Sequence, residues 1–216
     1  MTAPSFPGIL KRFIVLEGGD GAGTTTQLRL LGSALSRAGV PHWITAEPTG
    51  NAEGLLIRRI LAGELPRDPG TLAHLFAADR NEHLRGRDGI IERLGRGELV
   101  VCDRYVLSSL AYQGSACGRD LPAALNAGFP LPELLLYFEI EPETSMARIG
   151  SRARLDIFEE RPFQEKVRAA YRAELSRYAS SGMRIVLLDA SKSVEEISGS
   201  ILEAVGGLLG SDLERA

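Results

Sequence analysis

A glycine-dense turn set between an apolar run and a helical stretch constrains this chain more than any other feature. The apolar run is Phe13-Ile14-Val15-Leu16, which reads as a buried strand. Gly18, Gly19, Gly21 and Gly23 follow, and Thr24-Thr25-Thr26-Gln27 then opens a segment with Leu28, Leu31 and Leu35 on one helical face. Strand, glycine loop and helix together form the context of a phosphate-binding loop. Glycines let backbone N–H groups turn toward an anion, and a helix N-terminus adds partial positive charge at the same place. The candidate phosphate site is therefore Gly18, Gly19, Asp20, Gly21, Ala22, Gly23, Thr24, Thr25 and Thr26. The spacing Gly18-x-x-x-x-Gly23-x-Thr25 fits a nucleotide-binding loop with one departure: Thr24 stands where the pattern has lysine. The competing reading is an ordinary glycine-rich strand-to-helix turn.

At 216 residues, one domain spanning 1–216 is the natural expectation. The 44% apolar and 25% charged content is that of a soluble globular chain. A net charge of −3 argues against a broad nucleic-acid footprint, though not against a local basic pocket. The only cysteines are Cys102 and Cys117, so no disulfide framework is suggested and a reducing cytoplasm fits. The N-terminal residues lack the apolar core of a signal peptide. No apolar run approaches membrane-spanning length.

Further strands are expected at 42–45, 98–102, 134–140 and 184–188, with helices at 53–61, 71–84, 90–94, 108–113, 123–127, 143–149, 163–178 and 194–209. Residues 114–119 and 150–162 read as loops, the second charged, poorly periodic and mobile. Strands alternating with helices give α/β architecture: a five-stranded parallel sheet covered on both faces, three layers in all. Ligands in such sheets bind at the carboxyl ends of the strands. The glycine loop, Glu47, Asp103-Arg104 and the 150–162 loop should all lie at or over that edge.

Asp103, after the apolar Leu99–Cys102, is placed to organise a metal beside a bound phosphate. Thr25 would supply a hydroxyl to Mg²⁺. A helix N-cap is the equally simple reading of Asp103. Arg104 adds a bidentate phosphate donor. On the 71–84 helix, Phe76, Arg80 and His83 share a stripe, which suggests a pocket wall with a ring to stack on and a donor to read a base edge. Phe76 as core, with Arg80 paired to an acid, is the plainer alternative. Ser108, Ser109, Tyr112 and Gln113 could line a polar pocket or face water. Arg148, Arg152 and Arg154 lie in or beside the mobile loop, where arginines suit a transferring phosphoryl group; a solvated basic turn is the alternative.

These stretches together resemble thymidylate kinase, a nucleoside monophosphate kinase family of the P-loop NTPase type. The resemblance runs from about Phe13 to Ala190. It is carried by LEGGDGAG, the Glu47-Pro48 loop, LFAADRNEHL, CDRYVLSSLAYQG, LLLYFEI, RIGSRARLDIFEE and LLDAS, in order. It implies transfer of the ATP γ-phosphate to dTMP with Mg²⁺, in a homodimer. It also implies that Phe76 stacks on thymine, that Arg80 reads its carbonyl edge, and that Ser109, Tyr112 and Gln113 complete the base and sugar pocket. Glu47 and Arg58 fall on the substrate side by the same resemblance. Asp20 would sit near the acceptor sugar and the metal, and Arg104 on the acceptor phosphate. Residues 150–162 would form a lid, with Arg152 and Arg154 acting on the transferring group.

Three positions depart from the family pattern: Thr24 for lysine, Ala46 before Glu47-Pro48, and Ile157 after Asp156. Lys11, Lys166 and Lys192 match no phosphate-contacting position. The expectation is that an arginine, Arg104, Arg152 or Arg154, fills the lysine's place. The rival readings are a kinase for another nucleotide or deoxynucleoside, and a nucleotide-binding protein without turnover.

Overall fold

The computed structural model describes residues 6–149, 161–210 and 213. Five strands form one parallel sheet: β1 (Ile9–Gly18), β2 (His42–Ala46), β3 (Leu99–Asp103), β4 (Leu131–Glu139) and β5 (Arg184–Asp189), in the order β2-β3-β1-β4-β5. The helices are α1 (Thr24–Arg37), α2 (Ala52–Leu61), α3 (Pro69–Arg85), α4 (Ile90–Gly95), α5 (Val106–Cys117), α6 (Asp120–Asn126), α7 (Pro142–Ile149), α8 (Arg161–Tyr178) and α9 (Val194–Leu209).

Side-chain alternation explains why the buried stretches of the central strands, 13–16, 99–102 and 134–138, are apolar. Phe13 and Val15 of β1 join Val100, Cys102, Leu135 and Tyr137 on the face covered by α5 and α8. Ile14 and Leu16 join Val101, Leu134, Leu136 and Phe138 on the face covered by α1 and α9. A strand buried on both faces cannot spend every second residue on a polar group. The expected elements are all present, with shifted bounds: β1 begins at Ile9, ahead of the apolar run and with an irregularity between Leu10 and Ile14, and α6 at Asp120. Helix α5 continues through Cys117, absorbing most of the expected 114–119 loop. Helix α8 begins at Arg161, because a proline in the first turn costs a helix nothing. The rest of the expected lid, 150–160, lies outside the described residues. Both cysteines are free.

Parallel register brings three strand ends together. Asp103 pairs with Leu16 of β1 on one side and Ala46 of β2 on the other. The next residues stay tied: Arg104 N–H donates to Leu16 C=O at 2.8 Å, and Glu47 N–H to Asp103 C=O at 3.0 Å. The loop after β2 is further pinned by α3 and α2. Asp79 accepts both the backbone N–H and the hydroxyl of Thr49. Gly54 of α2 lies against the same loop, so closely that a Cβ there would stand 2.2 Å from the Thr49 carbonyl oxygen.

Gly54→Ala should therefore force α2 and the 47–49 loop apart. Overpacking of this kind costs roughly 1–3 kcal/mol, which for a chain of this size is about 2–4 °C of melting temperature per kcal/mol. Gly50→Ala, where nothing lies within 4 Å of the added carbon, should melt as the parent does. Scanning calorimetry on both variants decides it; equal melting temperatures would show that the loop yields freely.

Candidate active site

The joined ends of β1, β2 and β3 floor a cleft of 540 Å³. One wall is the glycine loop and the start of α1, with Gly19, Asp20, Gly21, Gly23, Thr24, Thr25 and Thr26 on the lining. Gly21 (φ 76°) and Gly23 (φ 90°) take left-handed conformations that a side chain would strain. Gly18 and Ala22 lie behind this surface; a Cβ on Gly18 would meet Phe138 at 3.1 Å. The opposite wall carries Glu47, Arg58, Phe76, Arg80, Arg104, Ser108, Tyr112 and Gln113. Residues from Gly19 to Arg148, far apart in sequence, thus face one space. Arg152 and Arg154 lie outside the described residues.

Glu17 was not singled out by sequence, yet much of the site hangs on it. It is fully buried at the end of β1. Its Oε1 accepts the backbone N–H groups of Tyr105 and Ser108, at 2.9 and 3.1 Å. Its Oε2 accepts the hydroxyls of Ser108 and of Tyr171, the latter at 2.9 Å. Glu17 is thus the cap of α5, a role for which Asp103 was the sequence candidate. Burial pushes its carboxyl pKa up, against the pull of these donors. The sequence signal is a carboxylate ending an otherwise apolar strand, where a charge persists only if donors meet it.

Arg104 has φ 69°, a left-handed value uncommon for a residue other than glycine. That turn aims its guanidinium back at the loop: it donates to Gly18 C=O at 3.1 Å and to Asp20 Oδ1 at 2.6 Å, and lies 5.0 Å over the Tyr112 ring. Asp20 Oδ2 accepts from Gln164 of α8 at 2.8 Å. Gln164 carried no distinguishing signal in the sequence. Arg148 of α7 reaches the loop from its other side, donating to Gly21 C=O at 3.5 Å.

Arg80 is buried, and every nitrogen of its guanidinium is engaged. It meets Glu47 Oε2 through Nε at 2.9 Å and Nη2 at 2.7 Å, Ser109 at 3.1 Å, the Tyr105 carbonyl at 2.8 Å, and Asn126. Ser109 accordingly backs Arg80 instead of lining the cleft. The pairing of Arg80 with an acid, the plainer alternative from sequence, is present alongside a place on the cleft wall. His83 holds the other Glu47 oxygen at 3.0 Å. Phe76 is half-buried, packed on the cluster of Ile57, Ile60 and Leu72 while lining the cleft. Arg58 donates to Pro48 C=O.

Asp103 gathers Thr24 and Thr25 hydroxyls on its Oδ2, at 3.2 and 3.4 Å, while its buried Oδ1 has no partner among the described residues. Burial raises its pKa, with Arg104 and the two hydroxyls opposing. A buried, unpartnered carboxylate oxygen suits a cation or ordered water. One carboxylate and one hydroxyl beside a phosphate cradle could hold Mg²⁺, which binds through few protein oxygens plus substrate phosphates. Among the described residues no cluster of three or more His, Cys, Asp or Glu forms a dedicated cage.

With this geometry in hand, comparison with known proteins is specific. A family profile described as thymidylate kinase matches residues 16–201. A putative thymidylate kinase of Treponema pallidum is 41% identical over 197 residues, covering 90% of this chain and 94% of its own length. A putative thymidylate kinase of Aeropyrum pernix is 37% identical, covering 92% and 98%. A thymidylate kinase of Cutibacterium acnes is 36% identical, covering 91% and 97%.

Removing Glu17 should strand the backbone N–H groups of Tyr105 and Ser108, each worth about 1–3 kcal/mol when buried unsatisfied, while the Ser108 and Tyr171 hydroxyls keep each other. Glu17→Ala should consequently melt far below the parent, and Glu17→Gln, which keeps one acceptor, should fall between them. Thermal melts in that order support the capping role; an alanine variant as stable as the parent would refute it.

Proposed function

We propose a residue-level mechanism from one premise: the chain belongs to the thymidylate kinase family. It transfers the γ-phosphate of ATP to dTMP, giving dTDP and ADP. The observation that carries the assignment is Arg104. It bridges from the wall of α5 to Asp20 and Gly18 of the glycine loop, so one guanidinium stands between the two phosphate-binding sides.

ATP phosphates lie along the backbone N–H groups of Gly21–Thr25 and the N-terminus of α1. dTMP lies on the opposite wall, thymine against Phe76. Tyr112, stacked under Arg104, crowds a 2′-hydroxyl and favours deoxyribose. Asp20 lies near the sugar. Ser108 and Gln113 border the base and sugar, and Arg58 and the Glu47-Pro48 loop close that side. Arg104 clamps the acceptor phosphate. The second pKa of that phosphate is roughly 6, so at neutral pH it attacks as a dianion and no general base is needed. Its oxygen bonds to the γ-phosphorus as the bridging bond to ADP breaks, and ADP leaves with the electron pair. Catalysis is then alignment and charge neutralisation. Thr25 and Asp103 would hold Mg²⁺, which neutralises donor-phosphate charge when bound. Arg152 and Arg154 are assigned, on sequence alone, to a lid at 150–162 acting on the transferring group.

Arg80 takes a double role in this reading. It lines the acceptor wall and, with its N–H groups spent on Glu47, Ser109, Asn126 and the Tyr105 carbonyl, holds that wall in place; the thymine carbonyl edge, which the resemblance assigns to it, is reached only if one of these bonds is exchanged. The reading also includes a single domain and a cytoplasmic homodimer that needs no nucleic acid. Among the described residues no helix is long and apolar enough to cross a membrane.

A coupled ADP-release assay with ATP and a panel of dTMP, dUMP, dCMP and ribose TMP tests the assignment, with dTMP expected to lead. Affinity for dTMP without ADP release would point instead to a nucleotide-binding protein. Arg80→Ala should raise the dTMP KM by about tenfold to a hundredfold, the cost of roughly 1–3 kcal/mol for leaving Glu47 and the Tyr105 carbonyl unmet behind the acceptor wall. The ATP KM should change far less. Equal effects on both substrates would take Arg80 out of the acceptor site.

A further inference from the structure

We propose that Thr24 works through Asp103: its hydroxyl orients the carboxylate on the metal side, making Thr24 a positioning residue and not the gap left by a lost lysine. The inference rests on reading Thr25 and Asp103 as the metal-holding pair. Thr24 is nearly buried, and its hydroxyl is spent on Asp103 Oδ2 at 3.2 Å. Thr25 donates to the same oxygen at 3.4 Å. Rotation of a carboxylate about its terminal torsion is broad and weakly restrained. Two donors converging on one oxygen restrain it, and they leave Oδ1 as the oxygen without a partner among the described residues. A donor fixed before the ligand arrives costs no reorganisation when charge must be met.

A lysine at this position has no hydroxyl to offer so close to its own backbone. Its stem carries the ammonium away from the helix start, with Asp103 as an acidic neighbour. The positive charge it would bring is already at the loop from two sides. Arg104 donates to the Gly18 carbonyl at 3.1 Å and Arg148 to the Gly21 carbonyl at 3.5 Å. Of the arginines expected to stand in for the lysine, Arg104 is at the loop, and Arg148 joins it from α7. Thr24→Lys thus adds a third cation and removes a hydrogen bond from the carboxylate.

The test is calorimetric titration of a non-hydrolysable ATP analogue across a range of Mg²⁺ concentrations, with dTMP binding as a check of folding. Thr24→Ser should keep the parent's Mg²⁺ midpoint. Thr24→Val should raise it roughly fivefold, the worth of one net hydrogen bond, with metal-free analogue binding unchanged. Thr24→Ala repeats the measurement if valine misfolds. Thr24→Lys should also raise the midpoint and gain less than about tenfold in kcat, since charge is not what the site lacks. A parental midpoint in the valine or alanine variant overturns the proposal. So does a gain of about a hundredfold or more in kcat for lysine, the scale of one lost electrostatic stabiliser. A parent that binds the analogue with Mg²⁺ but does not phosphorylate dTMP defeats the proposed mechanism and leaves the Thr24 role standing. A parent whose analogue binding ignores Mg²⁺ defeats the Thr24 role even if dTMP turns over.

Discussion

Glu17 has no contact with solvent, and three segments of the site are fastened to its two oxygens. Through β1 it is continuous with the glycine loop. Through Tyr105 and Ser108 it caps α5, and through Tyr171 it holds α8, the helix that brings Gln164 to Asp20. A buried carboxylate is costly unless fully met by donors, and here four meet it. The arrangement is therefore all or none: loosening any one partner leaves a charged group short. That cooperativity keeps the donor and acceptor walls of the cleft at a fixed separation, which is what an alignment mechanism requires.

The second buried charge, Glu47 with Arg80, serves the acceptor wall in the same way. Ion pairs taken out of water often gain little net stability, because desolvation offsets attraction. What this pair contributes is geometry. Arg80 links α3 to the loop after β2, to Tyr105, and to Ser109 on α5. His83 and Asp79, one turn away or adjacent on α3, hold the same loop at Glu47 and Thr49. The loop that frames the substrate is thus held chiefly by side chains of α3, with Arg58 of α2 on the Pro48 carbonyl.

Charge around the phosphate loop is distributed unusually for its pattern. No lysine lies on the cleft lining; Arg104 and Arg148 flank the loop, and the residue in the lysine's place is neutral and turned to Asp103. An arginine fork is fixed in plane and offers paired donors, where an ammonium is a mobile point charge. Such a site trades adaptability for a defined geometry on each side of the nucleotide.

Much of this was legible in the chain itself. Apolar runs flanked by turns gave the strands, most plainly the three central ones, whose burial on both faces demands apolar residues. The glycine pattern gave the phosphate loop, because only glycine tolerates its backbone angles. The order of the motifs gave the family. The neutral residue at position 24 was visible too, but not where its hydroxyl points. What the tertiary structure decided is which polar groups spend themselves on one another. Glu17 and Gln164 find partners more than 80 residues away, and no local periodicity encodes that. Arg80 could be placed on the right helix face, yet only packing showed it saturated by Glu47, Ser109, Asn126 and Tyr105. Hydrogen bonds of this kind depend on distances between elements that are far apart in sequence, and those distances exist only once the sheet has set its register.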